Sequence, residues 1–69
     1  MKFTMYFYEC ETDQDISWYS EAIRECDGTV ISVDHNFDAE TAEIVVEVED
    51  YPKFTRDIND MDQGGFAQF

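Results

Sequence analysis

The sequence predicts a small α+β domain in which two helices cover one face of an antiparallel sheet. Alternating apolar and polar residues, which are typical of half-buried strands, occur at 2–9, 29–37 and 43–49. Two stretches with helical spacing fall between and after them, in the order strand, helix, strand, strand, helix. The 69 residues include six Phe, four Tyr and one Trp, enough for one domain with a modest core.

The first strand is predicted at residues 2–9, where side chains point to alternate faces. The residues expected in the core are Phe3, Met5 and Phe7. The opposite face carries Thr4, Tyr6 and Tyr8, so this face of the sheet should be rich in tyrosine.

The first helix is predicted from Asp13 to Cys26 and ends at Asp27-Gly28. Thr12 followed three residues later by Asp15 resembles a capping box, and acidic residues suit the positive end of the helix dipole. The expected core stripe is Ile16, Tyr19, Ile23 and Cys26. Trp18 falls outside that stripe, next to Glu21 and Glu25.

Two further strands are predicted, from Thr29 to Phe37 and from Glu43 to Glu49, with an acidic connection between them. The positions expected to face the core are Ile31, Val33, Phe37, Ile44, Val46 and Val48. The positions expected on the face without helices are Val30, Ser32, Asp34, Val45, Glu47 and Glu49.

The second helix is predicted to begin at Asp50-Tyr51-Pro52, because proline is tolerated in a first helical turn. Its core positions are Phe54, Ile58 and Met61, and Gly64-Gly65 should end it. Residues 66–69 form either a last short strand or a tail pinned by Phe66 and Phe69. The element order resembles the ferredoxin-like split βαβ arrangement, which implies that the first and third strands are central.

The composition is strongly acidic, with 17 Asp and Glu against four Lys and Arg and a net charge of -13. Direct binding of nucleic acid is not expected, because an aromatic binding sheet would be surrounded by Lys and Arg. The absence of a long apolar run or a signal-peptide pattern predicts an intracellular protein that does not enter a membrane. Cys10 and Cys26 lie at opposite ends of the first helix and are expected to be free thiols.

Neither an enzyme nor a metal or cofactor site is predicted. No nucleophile, base and orienting group occur in a recognisable arrangement, and no glycine-rich phosphate loop follows a strand. The segment from Asp34 begins like a calcium loop, but Ala39 and Val45 stand where glycine and glutamate are required. His35 has no Cys-x-x-Cys or histidine partner for zinc, so an acidic hairpin loop is the expected structure.

The chain is therefore expected to work by binding a basic protein, with aromatic anchors and carboxylates that guide the encounter. In size and charge it resembles small acidic proteins that phages encode to block host defences, such as anti-CRISPR, anti-restriction and uracil-DNA glycosylase inhibitor proteins. The resemblance implies a DNA mimic that occupies the nucleic-acid-binding surface of a CRISPR effector nuclease or restriction enzyme in a bacterial or archaeal cytoplasm. The predicted contact residues are Tyr6, Tyr8, Glu11, Asp13, Asp15, Trp18, Glu21, Glu25, Asp34, Asp38, Glu40, Glu47 and Glu49.

Two alternatives remain at the level of the sequence. The chain could be a structural or assembly module that forms a homodimer through its open sheet face, with Tyr6, Tyr8 and Val45 buried between the copies. It could also be acidic because it belongs to a high-salt proteome, in which case its folding should depend on salt.

Overall fold

The computed structural model describes residues 1–62 and 67–68. The elements are β1 (Lys2–Tyr8), α1 (Asp13–Glu25), β2 (Thr29–Asn36), β3 (Thr41–Glu47), α2 (Tyr51–Asp62) and β4 (Ala67–Gln68). They form one antiparallel sheet of order β2-β3-β1-β4, so the first and third strands are central as predicted. The predicted α+β fold class is confirmed. The phenylalanines expected to pin the tail, Phe66 and Phe69, lie outside the described residues.

The core lies between the sheet and the two helices. Met5 of β1 is opposite Ile44 of β3, and both side chains are fully buried. Phe7 stacks on Tyr19 of α1 with 4.5 Å between ring centroids. Phe3 meets Phe54 of α2 edge-on at 5.8 Å. Because these residues of β1 all point to one side, both helices cover the same face of the sheet.

Local sequence signals account for both ends of α1. The backbone N–H of Asp15 donates to the hydroxyl of Thr12, while the carboxylate of Asp15 accepts from the backbone N–H of Thr12 at 3.0 Å, which confirms the capping box. At the other end the N–H of Gly28 donates to the carbonyl of Ile23 at 2.9 Å. Asp27 adopts a positive φ of 67° there, so the chain leaves the helix directly into β2.

The inward positions predicted on β2 are partly wrong. The register with β3 shifts between Val30 and Ser32, so a bulge places Val30 opposite Val46, on the core face and not on the open face. Ile31 at the bulge is 52% exposed. Val33 lies opposite Ile44 but is also exposed, because β2 is an edge strand. Phe37 lies in the following turn and is exposed.

Two other boundaries and one core position differ from the predictions. The third strand begins at Thr41, two residues earlier than predicted, so the turn after β2 is confined to 37–40. Met61 was expected in the core but is 39% exposed near the end of α2. It lies instead in a groove beside Trp18.

Both cysteines are free and buried, as predicted for the free thiols. Burial raises the pKa of the Cys10 thiol, and the carboxylate of Asp15 adds to this effect. Burial also raises the pKa of Cys26, mainly before any effect of nearby charges such as Asp57. Both thiols therefore remain protonated and weakly nucleophilic near neutral pH.

Candidate partner-binding surfaces

The connection from β1 to α1 lies directly against the turn between β2 and β3. The backbone N–H of Cys10 donates to the carbonyl of Glu40 at 2.7 Å. The ring Nε2 of His35 lies 2.9 Å from the carbonyl of Cys10, across 25 residues of sequence, and must carry the proton because a carbonyl only accepts. These two hydrogen bonds join segments that are distant in the sequence.

This junction brings together carboxylates that the sequence placed on separate elements. We call the surface the acidic end, and define it by the side chains of Glu9, Glu11, Asp13, Asp15, Asp38 and Glu40. Five of them were predicted contact residues, and Glu9 was missed because it falls at the end of the first strand. Phe37 is exposed in the same turn and adds an aromatic ring to this surface.

His35 lies beneath the acidic end, with only 8% of its side chain exposed. Its ring is 4.0 Å from that of Phe37, measured between centroids. Nδ1 is buried without a hydrogen bond and lies 4.0 Å from the Oδ1 atom of Asp13. The side chain expected in an acidic loop thus ties β2 to the entrance of α1. The continued alternation Val33, His35 along β2 was the signal that could have placed it on the core face.

Two glutamates in this region have left-handed backbone conformations, which are uncommon for residues other than glycine. Glu9 has φ of 61° and Glu40 has φ of 56°. They flank the hydrogen bond between Cys10 and Glu40. Each conformation costs on the order of 1 kcal/mol that glycine would avoid, yet a carboxylate occupies both positions.

The carboxylate of Asp15 has a structural role within the acidic end. The backbone N–H of Thr12 contributes most to lowering its pKa from the usual value of 3.8, and the N–H of Glu11, the hydroxyl of Thr12 and the charge of His35 add to this, against partial desolvation. A carboxylate with a lowered pKa in the folded state stabilises the fold above its unfolded pKa. That contribution is lost as the pH falls through the folded value.

We therefore expect Asp15→Asn to lower the free energy of unfolding at neutral pH, with the difference from the wild type narrowing as the pH falls below about 4. Urea unfolding at a series of pH values measures this difference. Asp13→Asn, which removes a charge from the same helical turn but no capping bond, is the matched control. A difference for Asp15→Asn that stays constant with pH would contradict the role assigned to its charge.

A second surface lies between the two helices. Trp18 is 52% exposed on α1 and stands beside Glu21 and Glu25, as the helical spacing predicted. With Ala22 and Met61 these residues line a depression of about 180 Å³. We call it the helix groove.

The third surface is the open face of the sheet. Tyr6 is opposite Glu43 of β3, and Glu43 is in turn opposite Asp34 of β2. Tyr8 is opposite Thr41 and is more exposed than Tyr6. Glu43 was not among the predicted contact residues, although its alternation with Val45 and Glu47 already placed it on this face.

The remaining predicted residues lie at the opposite end of the molecule. Glu47 is opposite Lys2, and with Glu49 it borders a cleft of about 450 Å³ that also contains Lys53. The ammonium group of Lys53 lies 2.8 Å from Asp57 and 3.7 Å from Asp27, so this cleft already contains a cation. The predicted contact residues therefore divide among separate surfaces, and the acidic end brings the largest number together.

Within residues 1–62 and 67–68, no group of three or more His, Cys, Asp or Glu side chains is arranged to hold a metal ion. Over the same residues, no helix has the length and apolar character needed to span a bilayer. Comparison of the chain with protein-family models, curated proteins and solved structures gave no match.

Proposed function

We propose that this chain is a non-enzymatic binding protein that inhibits or regulates a basic, nucleic-acid-handling protein by occupying its nucleic-acid-binding surface. A CRISPR effector nuclease or a restriction enzyme is the kind of partner we have in mind. The main support is the acidic end, where carboxylates from the entrance of α1 and from the β2–β3 turn meet around the Cys10–Glu40 hydrogen bond.

The distribution of charge supports this orientation toward a partner. The four Lys and Arg residues are Lys2, Arg24, Lys53 and Arg56, none of which belongs to the acidic end. Lys2 is at the start of β1 and Arg24 is in the last turn of α1, whereas the acidic end lies at the finish of β1 and the first turn of α1. A positive surface would therefore be attracted to one end of the molecule and steered by it.

The size of the charge is appropriate for competition with nucleic acid. A DNA duplex carries one charge per about 1.7 Å, so a duplex as long as the 33 Å longest dimension of this molecule would carry about 19 charges. The net charge of -13 is of the same order. The carboxylates kept at the strained positions Glu9 and Glu40 also support a binding role, because strain of this kind persists where function requires the side chain.

Self-association through the open sheet face is less well supported. Asp34 and Glu43 are directly opposite each other on that face, and like charges in this position destabilise a sheet. A dimer would place both pairs between the copies, where burying carboxylates without cations is costly. A basic partner would relieve the same repulsion.

The test is capture of partners from bacterial lysate by three purified baits at about 0.15 M salt and again at high salt, where exposed charges are screened. The baits are the wild type, an acidic-end variant (Asp13→Asn, Asp38→Asn, Glu40→Gln) and a control variant with the same change in charge elsewhere (Glu43→Gln, Glu49→Gln, Asp60→Asn). We expect one nucleic-acid-binding protein to be retained by the wild type and the control. The acidic-end variant should bind it at least tenfold more weakly, a loss of about 1.4 kcal/mol.

Competition then tests the mode of action. Added duplex DNA or RNA should release the captured protein from the wild-type bait, because both ligands occupy one surface. A partner that binds nucleic acid and this chain at the same time would exclude the proposed mimicry. Equal binding by the acidic-end and control variants would exclude the acidic end as the contact surface.

A further inference from the structure

We propose that the helix groove is a binding site for an arginine side chain of the partner, with the guanidinium group lying against Trp18 and between Glu21 and Glu25. This deepens the proposed function, since it rests on a basic partner. The site is nevertheless separate from the acidic end: Glu21 lies two turns beyond the first residue of α1.

The first reason is the combination of Trp18 with its acidic neighbours. About half of the indole side chain is exposed, and the groove beside it is lined by two carboxylates and two apolar residues. The face of a tryptophan ring attracts a cation by about 0.5–1 kcal/mol at an exposed site. An uncharged ligand would use the ring but leave both carboxylates desolvated without compensation.

The second reason is the spacing of the two glutamates. Glu21 and Glu25 are four residues apart on one helix, and like charges at this spacing destabilise a helix by about 0.2–0.5 kcal/mol. Within the described part of the chain neither has a cationic partner within 4.0 Å, and Arg24 forms no ion pair there either. A cation in the groove would remove this repulsion, so a ligand of positive charge is favoured over any other.

The third reason distinguishes arginine from lysine. A guanidinium group is planar, stacks on an aromatic face and can donate to two carboxylate oxygens in parallel, whereas an ammonium group is a compact and strongly hydrated charge. Ala22 provides a small wall of the groove, and Met61 provides a flexible apolar one for the methylene groups of the side chain. Met61 is exposed here although its helical spacing suited the core, which is consistent with a ligand that covers it.

The experiment uses Trp18 as a reporter, because it is the only tryptophan in the chain. The probes are three acetylated, amidated peptides, Gly-X-Gly-X-Gly, in which X is arginine, lysine or uncharged citrulline. Each is titrated into the full chain while Trp18 fluorescence and the NMR signal of its indole N–H are recorded. We expect the arginine peptide to bind at least threefold more tightly than the lysine peptide, and citrulline to cause no saturable change.

Two variants with equal changes in charge separate a specific site from general attraction. Glu21→Gln with Glu25→Gln should weaken the arginine peptide at least fivefold, whereas Asp13→Asn with Glu40→Gln should change its affinity by less than twofold. Equal weakening by both pairs, or equal binding of arginine and lysine peptides, would overturn the proposal. So would a change in the Trp18 signal with protein concentration alone, which would show that a second copy fills the groove.

The outcome is independent of the test of the proposed function. If the acidic-end variant loses the captured partner but the groove fails these titrations, the inhibitor function stands without an arginine site. If the groove binds arginine selectively but no nucleic-acid-binding protein is captured, the site stands and the proposed function fails.

Discussion

Phe7→Ala is expected to lower the free energy of unfolding by about 3–5 kcal/mol, the range for removing a large aromatic side chain from a core. Phe7 is fully buried in the central strand β1 and stacks on Tyr19 of α1. The substitution would remove that contact and leave a cavity between the sheet and α1. A domain of 69 residues has a total stability of only about 3–10 kcal/mol, so much of the variant should be unfolded at 25 °C.

The adjacent residue provides the control. Tyr8→Ala also removes an aromatic residue from β1, but Tyr8 is 58% exposed on the opposite face. Its cost should stay below about 1 kcal/mol, the span of strand propensities. Urea unfolding followed by circular dichroism measures both variants, with Phe7→Leu as a folded intermediate case if Phe7→Ala is too unstable to measure. Similar losses for Phe7→Ala and Tyr8→Ala would contradict the assignment of the core face.

Gly28→Ala is expected to destabilise the domain by about 1–3 kcal/mol, the usual cost of overpacking a core. A methyl group at this position would lie 2.7 Å from the Cγ2 atom of Ile23 and 3.0 Å from both the Ile23 carbonyl oxygen and the ring of Phe54. Ile23 and Phe54 are buried, so neither can move aside freely. Glycine is thus required where α1, β2 and α2 come together.

A double-mutant cycle tests that cause. Ile23→Leu removes the branch at Cβ that contacts the added methyl group, so Gly28→Ala should cost less in the Ile23→Leu background than in the wild type. The four free energies of unfolding come from thermal or urea denaturation. An unchanged cost for Gly28→Ala would show that contact with Ile23 is not the source of the destabilisation.

The candidate contact residues were easier to predict singly than as surfaces. The position of Trp18 beside Glu21 and Glu25 followed from helical periodicity, because the residues belong to one element. The proximity of Asp13 to Asp38 and Glu40 depends on two loops meeting through Cys10 and His35, a long-range contact with no signal in local spacing. Glu9 and Phe37 were missed for the same reason.

Local patterns in the sequence determined the order of the elements, the capping of α1 and the core faces of β1 and β3. These features depend on hydrophobic periodicity and on interactions within a few residues. Only the tertiary structure decided that β2 would be a bulged edge strand, which exposes Ile31 and Val33, and that Met61 would border a groove. Exposure at an edge and the meeting of loops depend on which elements become neighbours. That choice is made by the packing of the whole chain, and it also gathered the carboxylates into one acidic end.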